Sequence, residues 1–279
     1  MKLLILGGNG MAGHMLVQYF KTRQAREVLY TTRDARDKEG ILADFHQPGT
    51  VEQLIGQVRP DVIINAVGIL NQYAEQDAAG AYEINGFLPH KIRLAADAVQ
   101  ARLIHISTDC VFLGSRGGYT ENDLPDGTSY YAVTKALGEI KQGPHLTIRT
   151  SIIGPEIREN GIGLLSWFLK QKSGVPGYTR VFWNGVTTLQ LAKAIDGLLD
   201  KPLHGLMHLA HPERISKYEL LQLFRDIWER NDIQIIPTDT PELDRTLVST
   251  RPEAEVILPD FPDYTAMLRE LHDWMKGYE

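Results

Sequence analysis

In the stretch "SYYAVTKALGE" a phenol and an ammonium stand four residues apart, as Tyr131 and Lys135. Residues four apart on a helix share a face, so both groups point into the same space. A free tyrosine titrates near ~10, too high for ready proton exchange at neutral pH. A neighbouring ammonium favours the phenolate and lowers that value. A shift of about two units is worth roughly 2.7 kcal/mol. Such a pair suits general acid catalysis with the donor tuned toward working pH. The plain alternative is a solvated turn of helix, because Y-x-x-x-K also arises by chance. A hydroxyl with a matching role is Thr108, in "HISTDCVFLG". It falls at a strand end with Ser107 and Asp109, where it can hydrogen-bond the carbonyl oxygen that Tyr131 protonates. Its other reading is a turn or cap residue.

A second chemical pattern lies at the start of the chain. "GGNGMAG" places Gly7, Gly10 and Gly13 in a G-x-x-G-x-x-G spacing between an apolar run and a helical pattern. Glycines there permit a tight turn and close approach of backbone to a pyrophosphate. The helix start adds unpaired N–H groups and partial positive charge. This reads as a dinucleotide site; the alternative is a ligand-free βα turn. NAD binders often carry an acid at the end of the second strand. Here "LYTTRDARD" places Thr31 and Thr32 there, followed by Arg33. A guanidinium can grip a ribose 2′-phosphate through two parallel bonds. NADPH is therefore favoured, with NADH left open by the adjacent Asp34 and by the reading of Arg33 as a solvated loop residue.

These groups need a scaffold, and the hydrophobic pattern supplies one. Leu3–Leu6 reads as a strand buried on both faces, and Ala12, Met15, Leu16 and Tyr19 recur at helical spacing. Strands follow at Glu27–Thr31, Asp61–Ala66, Arg102–Ser107 and Leu146–Arg149, with helices at Val51–Val58, Leu88–Val99 and Tyr131–Lys141 between them. The alternation predicts an α/β fold, a Rossmann-like doubly wound parallel sheet with right-handed crossovers. After Ile153 the pattern is irregular. A helix is expected over Gly163–Lys172, helix starts at Thr187 and Ser216, a short strand over Gly205–Ala210 and a last helix over Tyr264–Met275. Thr187 with Gln190, and Ser216 with Glu219, have capping-box spacing. Residues 1–152 are read as an NADP-binding domain. Residues 153–279 are read mainly as a smaller C-terminal substrate-binding lobe, some of whose elements return to the first domain.

Composition sets bounds on the rest. The 279 residues are 43% hydrophobic and carry a formal net charge of −6, which disfavours wrapping of nucleic acid. The apolar run at the N-terminus breaks after six residues, too short for a membrane span or a usual signal segment. A single cysteine, Cys110, excludes an internal disulfide framework and fits a reducing cytoplasm. With no evident base beside it, that thiol reads as a small buried hydrophobe rather than a nucleophile. The nine histidines show no metal-ligand spacing, so no metal is expected; His105 reads as a satisfied core residue.

Together "GGNGMAG", "PDVIINAVG", "AYEIN", "ISTDCVFLG", "YYAVTKALGE" and "IRTSIIG" resemble an extended short-chain dehydrogenase/reductase. Within that superfamily the chain is similar to the dTDP-4-dehydrorhamnose reductase family over most of its first 154 residues. The resemblance implies Thr108, Tyr131 and Lys135 as catalytic residues, with Lys135 also on the nicotinamide ribose. It implies cofactor contacts at Gly7, Asn9, Gly10, Met11 and Gly13, at Asp44 and Phe45 near the adenine, and at Ala66, Val67 and Gly68. Asn85 falls where the family keeps an asparagine close to the active site; a structural role in its helix is the alternative. Asp109, Cys110 and Ile152 would face the sugar. Trp183 and Asn184 would line a sugar or nucleotide pocket, with packing between lobes as the alternative for Trp183.

Cys110 stands where the family usually has a tyrosine, Leu113 where it has an aspartate and Ile152 where it has a tryptophan. The proton and hydride chemistry is untouched by these departures; the sugar and the base stay open. The implied activity is reduction of a 4-keto-6-deoxy sugar nucleotide for cell-surface polysaccharide. Alternatives are reduction of a UDP-linked 2-acetamido-4-keto-6-deoxyhexose, a sugar-nucleotide epimerase or dehydratase, and a non-catalytic NADP-binding regulatory subunit. Cys110 where dehydratases carry a second acid argues against elimination, and retention of both Tyr131 and Lys135 favours an enzyme. The superfamily often forms dimers through surface helices.

Overall fold

Strand β1 (Lys2–Leu6) has four of its five residues buried, as befits a strand covered on both faces. Its side chains divide by parity. In the computed structural model, which describes residues 1–157, 161–253 and 261–277, Leu3 and Ile5 enter one core and Leu4 and Leu6 another. The first core is closed by α1 (Met11–Lys21), the second by α2 (Thr50–Val58) and α5 (Leu88–Ala98).

The remaining strands of the first half are β2 (Glu27–Thr32), β3 (Ile41–Leu42), β4 (Val62–Asn65), β5 (Arg102–Thr108) and β6 (Leu146–Thr150). Short helices α3 (Asn71–Gln76) and α4 (Ala78–Ala81) lead through a π-helical segment, Tyr82–Phe87, into α5. Helix α6 (Tyr130–Leu137) follows β5, and Ser129 caps it by accepting from the Ala132 N–H at 3.1 Å. This helix ends four residues before the expected Lys141. Gly138 closes it because the chain there is pressed on the π segment: a Cβ at Gly138 would stand 2.0 Å from the Asn85 carbonyl oxygen.

After β7 (Ile152–Ile153) come α7 (Leu164–Leu169), β8 (Val175–Tyr178), β9 (Val181–Trp183), β10 (Val186–Thr187) and α8 (Thr188–Leu199). Helix α7 is shorter than the Gly163–Lys172 expected. The chain continues with β11 (Gly205–His208), β12 (Ile215–Ser216), α9 (Lys217–Ile227), β13 (Ile235–Thr238), β14 (Leu243–Asp244) and α10 (Tyr264–Lys276). Thr187 caps α8, and Ser216 with Glu219 forms a reciprocal capping box at α9.

Seven strands make the central sheet in the order β11-β6-β5-β4-β1-β2-β3, all parallel. β11 comes from the second half of the chain and forms the sheet's edge beside β6, while α8 packs on α1. Three small sheets, β10-β7, β12-β9-β14 and β13-β8, carry the rest. One core joins the halves: Leu16 and Ile106 share it with Ile195, Phe224 and Leu268. The expected boundary at 152/153 falls inside β7. Because the sheet is parallel, the chain leaves β1, β4 and β5 along one edge, and there Gly7, Ala66 and Thr108 gather.

Candidate active site

The glycine turn is built against β2. Gly7 donates to Thr31 Oγ1 and Gly8 to the Thr31 carbonyl, each at 2.9 Å. Gly7 has φ +83°, a left-handed conformation that a side chain would strain. A Cβ at Gly13 would lie 2.0 Å from the Gly7 oxygen, so glycine lets α1 close on the turn. Gly10 differs. A Cβ there would meet only the Gly7 oxygen at 3.3 Å and the Ala66 oxygen at 3.9 Å, and no side chain caps the helix start at Gly10. The N-terminus of α1 therefore keeps its N–H groups and dipole free of a side-chain cap, an arrangement that fits a pyrophosphate.

Asn9 turns sideways and donates to Thr32 Oγ1 at 2.9 Å and Asp37 Oδ2 at 3.2 Å, which pins the loop after β2. Met11 is the first residue of α1. Arg33 is exposed and has no hydrogen bond or ion pair among the described residues, whereas neighbouring Asp34 is clasped by Arg36 at 2.7–3.2 Å. The acid that left the cofactor question open is thus occupied elsewhere. Asp44 is exposed and accepts from the His46 N–H at 3.1 Å; Phe45 is buried. Ala66 and Val67 are half-buried and Gly68 is exposed. Asn85 accepts from Ile69 N–H at 2.8 Å and donates to its carbonyl at 2.9 Å. The asparagine therefore holds the Ala66–Gly68 loop from behind.

The catalytic candidates converge. Tyr131, on the first turn of α6, is buried close to Thr108. Thr108 donates to Asp109 Oδ1 and accepts from the Cys110 N–H, both at 3.1 Å. Lys135 is buried beneath, its Nζ donating to the Ile106 carbonyl at 2.7 Å, and burial lowers its pKa to about 8. The expected lowering of the Tyr131 pKa is overturned. Burial drives the phenol up, with Cys110 and Asp109 adding to the rise and Thr108 opposing it. The Lys135 ammonium is engaged with the backbone of β5 instead. His105, one layer below, meets Asn65 at 3.1 Å through Nδ1, but its Nε2 has no partner among the described residues, so it is only half satisfied. Burial and nearby Lys135 keep it neutral.

On the sugar side the expectations separate. Burial pushes the Asp109 carboxyl up while Arg245 and Lys217 pull it down. Cys110 is raised to about 12, chiefly by burial, which makes it inert as a nucleophile. Ile152 pairs with Val186 and packs on the main core. Trp183 is buried with its ring 5.7 Å from Tyr264. Asn184 is a correction. Its amide donates to the carbonyls of His211 and Leu247 at 2.9 and 2.8 Å and accepts from Leu247 N–H at 2.9 Å. Those bonds consume the side chain, which ties two loops together rather than lining a pocket.

Two cations at the site escaped the sequence. Arg245 donates to the Phe112 carbonyl at 2.8 Å and reaches Cys110 Sγ at 3.6 Å. Lys217, first residue of α9, has its Nζ 5.4 Å from the Trp183 ring centre. The capping box located that helix start in sequence; nothing there said which way it faced.

The RmlD substrate binding domain family matches residues 1–258. The chain belongs to that family. Relatives of the chain include a dTDP-4-dehydrorhamnose reductase of Burkholderia thailandensis, 31% identical over 157 residues, which are 54% of this chain and 50% of that protein. The chain thus spans about half the length of that relative. Methionine adenosyltransferase 2 subunit beta of Danio rerio is 25% identical over 268 residues, 86% of this chain and 78% of its own. Among solved structures, the dTDP-4-dehydrorhamnose reductase of Bacillus anthracis in complex with NADP superposes with a TM-score of 0.82 at 20% identity, covering 98% of this chain and 99% of that one. The RmlD-type fold is the extended short-chain dehydrogenase/reductase fold read from the motifs. Among the described residues no helix is long and apolar enough to cross a membrane.

Proposed function

We propose that the protein reduces the keto group of a 4-keto-6-deoxy sugar nucleotide, with Tyr131 as proton donor. The gathering of Thr108, buried Tyr131 and buried Lys135 at the carboxyl edge of the sheet carries this reading. The relatives named as dTDP-4-dehydrorhamnose reductases support it.

The glycine turn and the uncapped start of α1 fit a pyrophosphate, and free Arg33 fits a 2′-phosphate. These residues, with Ala66–Gly68 and Lys135, would hold NADPH, NADH being the weaker fit. Bound there, the cofactor supplies the hydride. Thr108 orients the sugar carbonyl through its oxygen. A phenol raised by burial keeps its proton at neutral pH and releases it only to a strong base. The alkoxide formed as the carbonyl is reduced is such a base, so the raised value suits a donor. Lys135, its Nζ on the Ile106 carbonyl, would hold the nicotinamide ribose beneath Tyr131.

The nucleotide half would lie against the second half of the chain. A cavity of about 330 Å³ between the two halves is lined by Arg116, Arg180, Phe182 and Arg214 together with Glu242 and Asp244, which pair with Arg180 and Arg214 at 2.8 and 2.6 Å. The Arg214 guanidinium stands 4.0 Å from the Phe182 ring centre. Arg245, whose Cγ would lie 2.8 Å from a Cβ at Gly114, separates that cavity from Cys110. Phe87 at the end of the π-helical segment, Leu94 on α5, and Val133 and Leu137 on α6 are apolar and 38–59% exposed, and would pair two copies of the chain.

The test is NADPH oxidation against a panel of 4-keto sugar nucleotides. Turnover of one member is expected. Tyr131→Phe is expected to lower kcat by about 10²–10⁴ with NADPH affinity unchanged; full activity in that variant would reject the assignment. A regulatory subunit is the second reading, favoured by the methionine adenosyltransferase subunit that matches 86% of the chain. Silence across the panel with NADPH binding intact would select it.

A further inference from the structure

We propose that His105 is a positioning residue for the cofactor, setting the Ala66–Gly68 loop against the glycine turn through the Asn65 amide. The proposal rests on the reading of that sheet edge as the dinucleotide site and deepens it by one buried residue that acts through the loop.

Asn65 and His105 are partners across the sheet, at matched positions of β4 and β5, and both side chains are fully buried. Asn65 ends β4, so the loop begins directly after it. The geometry fixes the direction of every bond in the group. The Val67 N–H can only donate, and it reaches Asn65 Oδ1 at 3.1 Å. The other end of that amide is therefore its NH2, which lies 3.1 Å from His105 Nδ1. An NH2 group donates, so Nδ1 offers its lone pair and the ring proton sits on Nε2. Val67 in turn lies on the glycine turn: a Cβ at Gly7 would stand 3.1 Å from Val67 Cγ2 and 3.2 Å from the Ala66 carbonyl oxygen. One imidazole lone pair thus orients an amide, the amide holds a loop, and the loop backs the turn.

Stability alone does not account for a histidine here. Its Nε2–H has no acceptor among the described residues, and an orphaned buried donor costs free energy. Thr147, next in the row on β6, is committed elsewhere: its Oγ1 donates to the Ile140 carbonyl at 2.7 Å and accepts from the Ile140 N–H at 2.9 Å. An aliphatic side chain would remove the orphan on the ring. It would also leave the Asn65 NH2 with nothing to receive it, free to turn, and Val67 without its anchor. Asn85 grips the loop's far end at Ile69 with bonds of 2.8 and 2.9 Å, so release at Asn65 shifts Ala66–Gly68 and leaves that end in place. Lys135 takes the carbonyl of Ile106, the next residue along β5. The proton-transfer group and the loop anchor therefore use separate atoms of one strand, and cofactor affinity can change without the chemical step.

The experiment has two arms, both on the full chain. Nitrogen NMR of the wild-type imidazoles at neutral pH is expected to show His105 as the neutral ring protonated on Nε2; a proton on Nδ1 would overturn the proposal. The second arm combines NADPH titration with thermal melts. His105→Leu exchanges one orphaned donor for another, so its unfolding midpoint is expected within about 3 °C of wild type. Its NADPH affinity is expected to fall about 10-fold, the loss of one buried hydrogen-bonded anchor. His105→Asn can set an oxygen where Nδ1 stood and is expected to recover most of that affinity. In turnover of a keto sugar nucleotide, the KM for NADPH rises in His105→Leu while kcat holds. A midpoint and an affinity that fall together, and stay down in His105→Asn, would make the residue merely structural and overturn the proposal. If His105→Leu does not fold, His105→Phe, a ring without the nitrogens, carries the comparison. A wild-type chain that binds neither NADPH nor NADH overturns the dinucleotide reading, and this assignment with it. A wild type that binds beside an unaffected variant overturns this assignment alone.

Discussion

Lys135 and Lys217 reach the site from different halves of the chain, and burial holds each near 8 instead of 10.5. Between those values the unfolded chain keeps protons that the folded chain has released. Unfolding free energy therefore rises with pH from about 8 upward. The raised Cys110 thiol acts in the other direction once unfolded thiols ionise, near 9, and the raised phenols of Tyr131 and Tyr264 above about 10. Urea titrations between about pH 7.5 and 9.5 are expected to show the net rise from two lysines against one thiol, and a Lys135→Met, Lys217→Met double variant to abolish or reverse it. An unchanged slope in the double variant would mean that neither ammonium is desolvated. At this scale the sequence conveyed residue types and spacing, and little about environment. Tyr131 and Lys135 do share a helix face, but which partner the ammonium chooses depends on where the Ile106 carbonyl lies, and that is a tertiary fact.

At the scale of elements, two glycines of one motif separate folding from binding. Gly13→Ala forces a Cβ into the Gly7 carbonyl and is expected to lower the unfolding midpoint sharply. Gly10→Ala meets the Gly7 oxygen at 3.3 Å, a contact a few tenths of an ångström relieve, so it is expected to lower the unfolding midpoint far less than Gly13→Ala while losing NADPH affinity by 10-fold or more. Thermal melts and cofactor titrations of both variants check this contrast. Behind β5, Glu139 accepts from buried Arg149 at 2.6 and 2.8 Å and from Ser107 at 3.1 Å. Glu139→Gln strands a guanidinium in the core and is expected to cost roughly 3–5 kcal/mol in urea unfolding. The first-half strands and helices were legible because a doubly covered parallel sheet writes itself as apolar runs alternating with helical stripes. The end of α6 was not, since Gly138 stops that helix by touching Asn85, far away in sequence. Asn184 misled for the same reason: an amide beside a tryptophan looks like a sugar contact until its three backbone partners are known.

For the whole molecule, the exposed apolar residues of α5 and α6 make a prediction about assembly. Leu94→Glu with Leu137→Glu is expected to shift the chain from dimer to monomer in sedimentation, with each monomer still binding NADPH. A wild-type chain that sediments as a monomer at micromolar concentration would remove the pairing. The placement of β11 bears on a different question, that of autonomy. A fragment ending near residue 152 would lack the strand that covers the β6 edge and the α8 face that roofs Leu146 and Ile148. An unprotected parallel edge beside bare leucine and isoleucine invites self-association. Neither portion of this polypeptide is a transplantable module. Any chimaera that replaces the second half of the chain must carry residues 188–208 along with the first, because that excursion is what seals it.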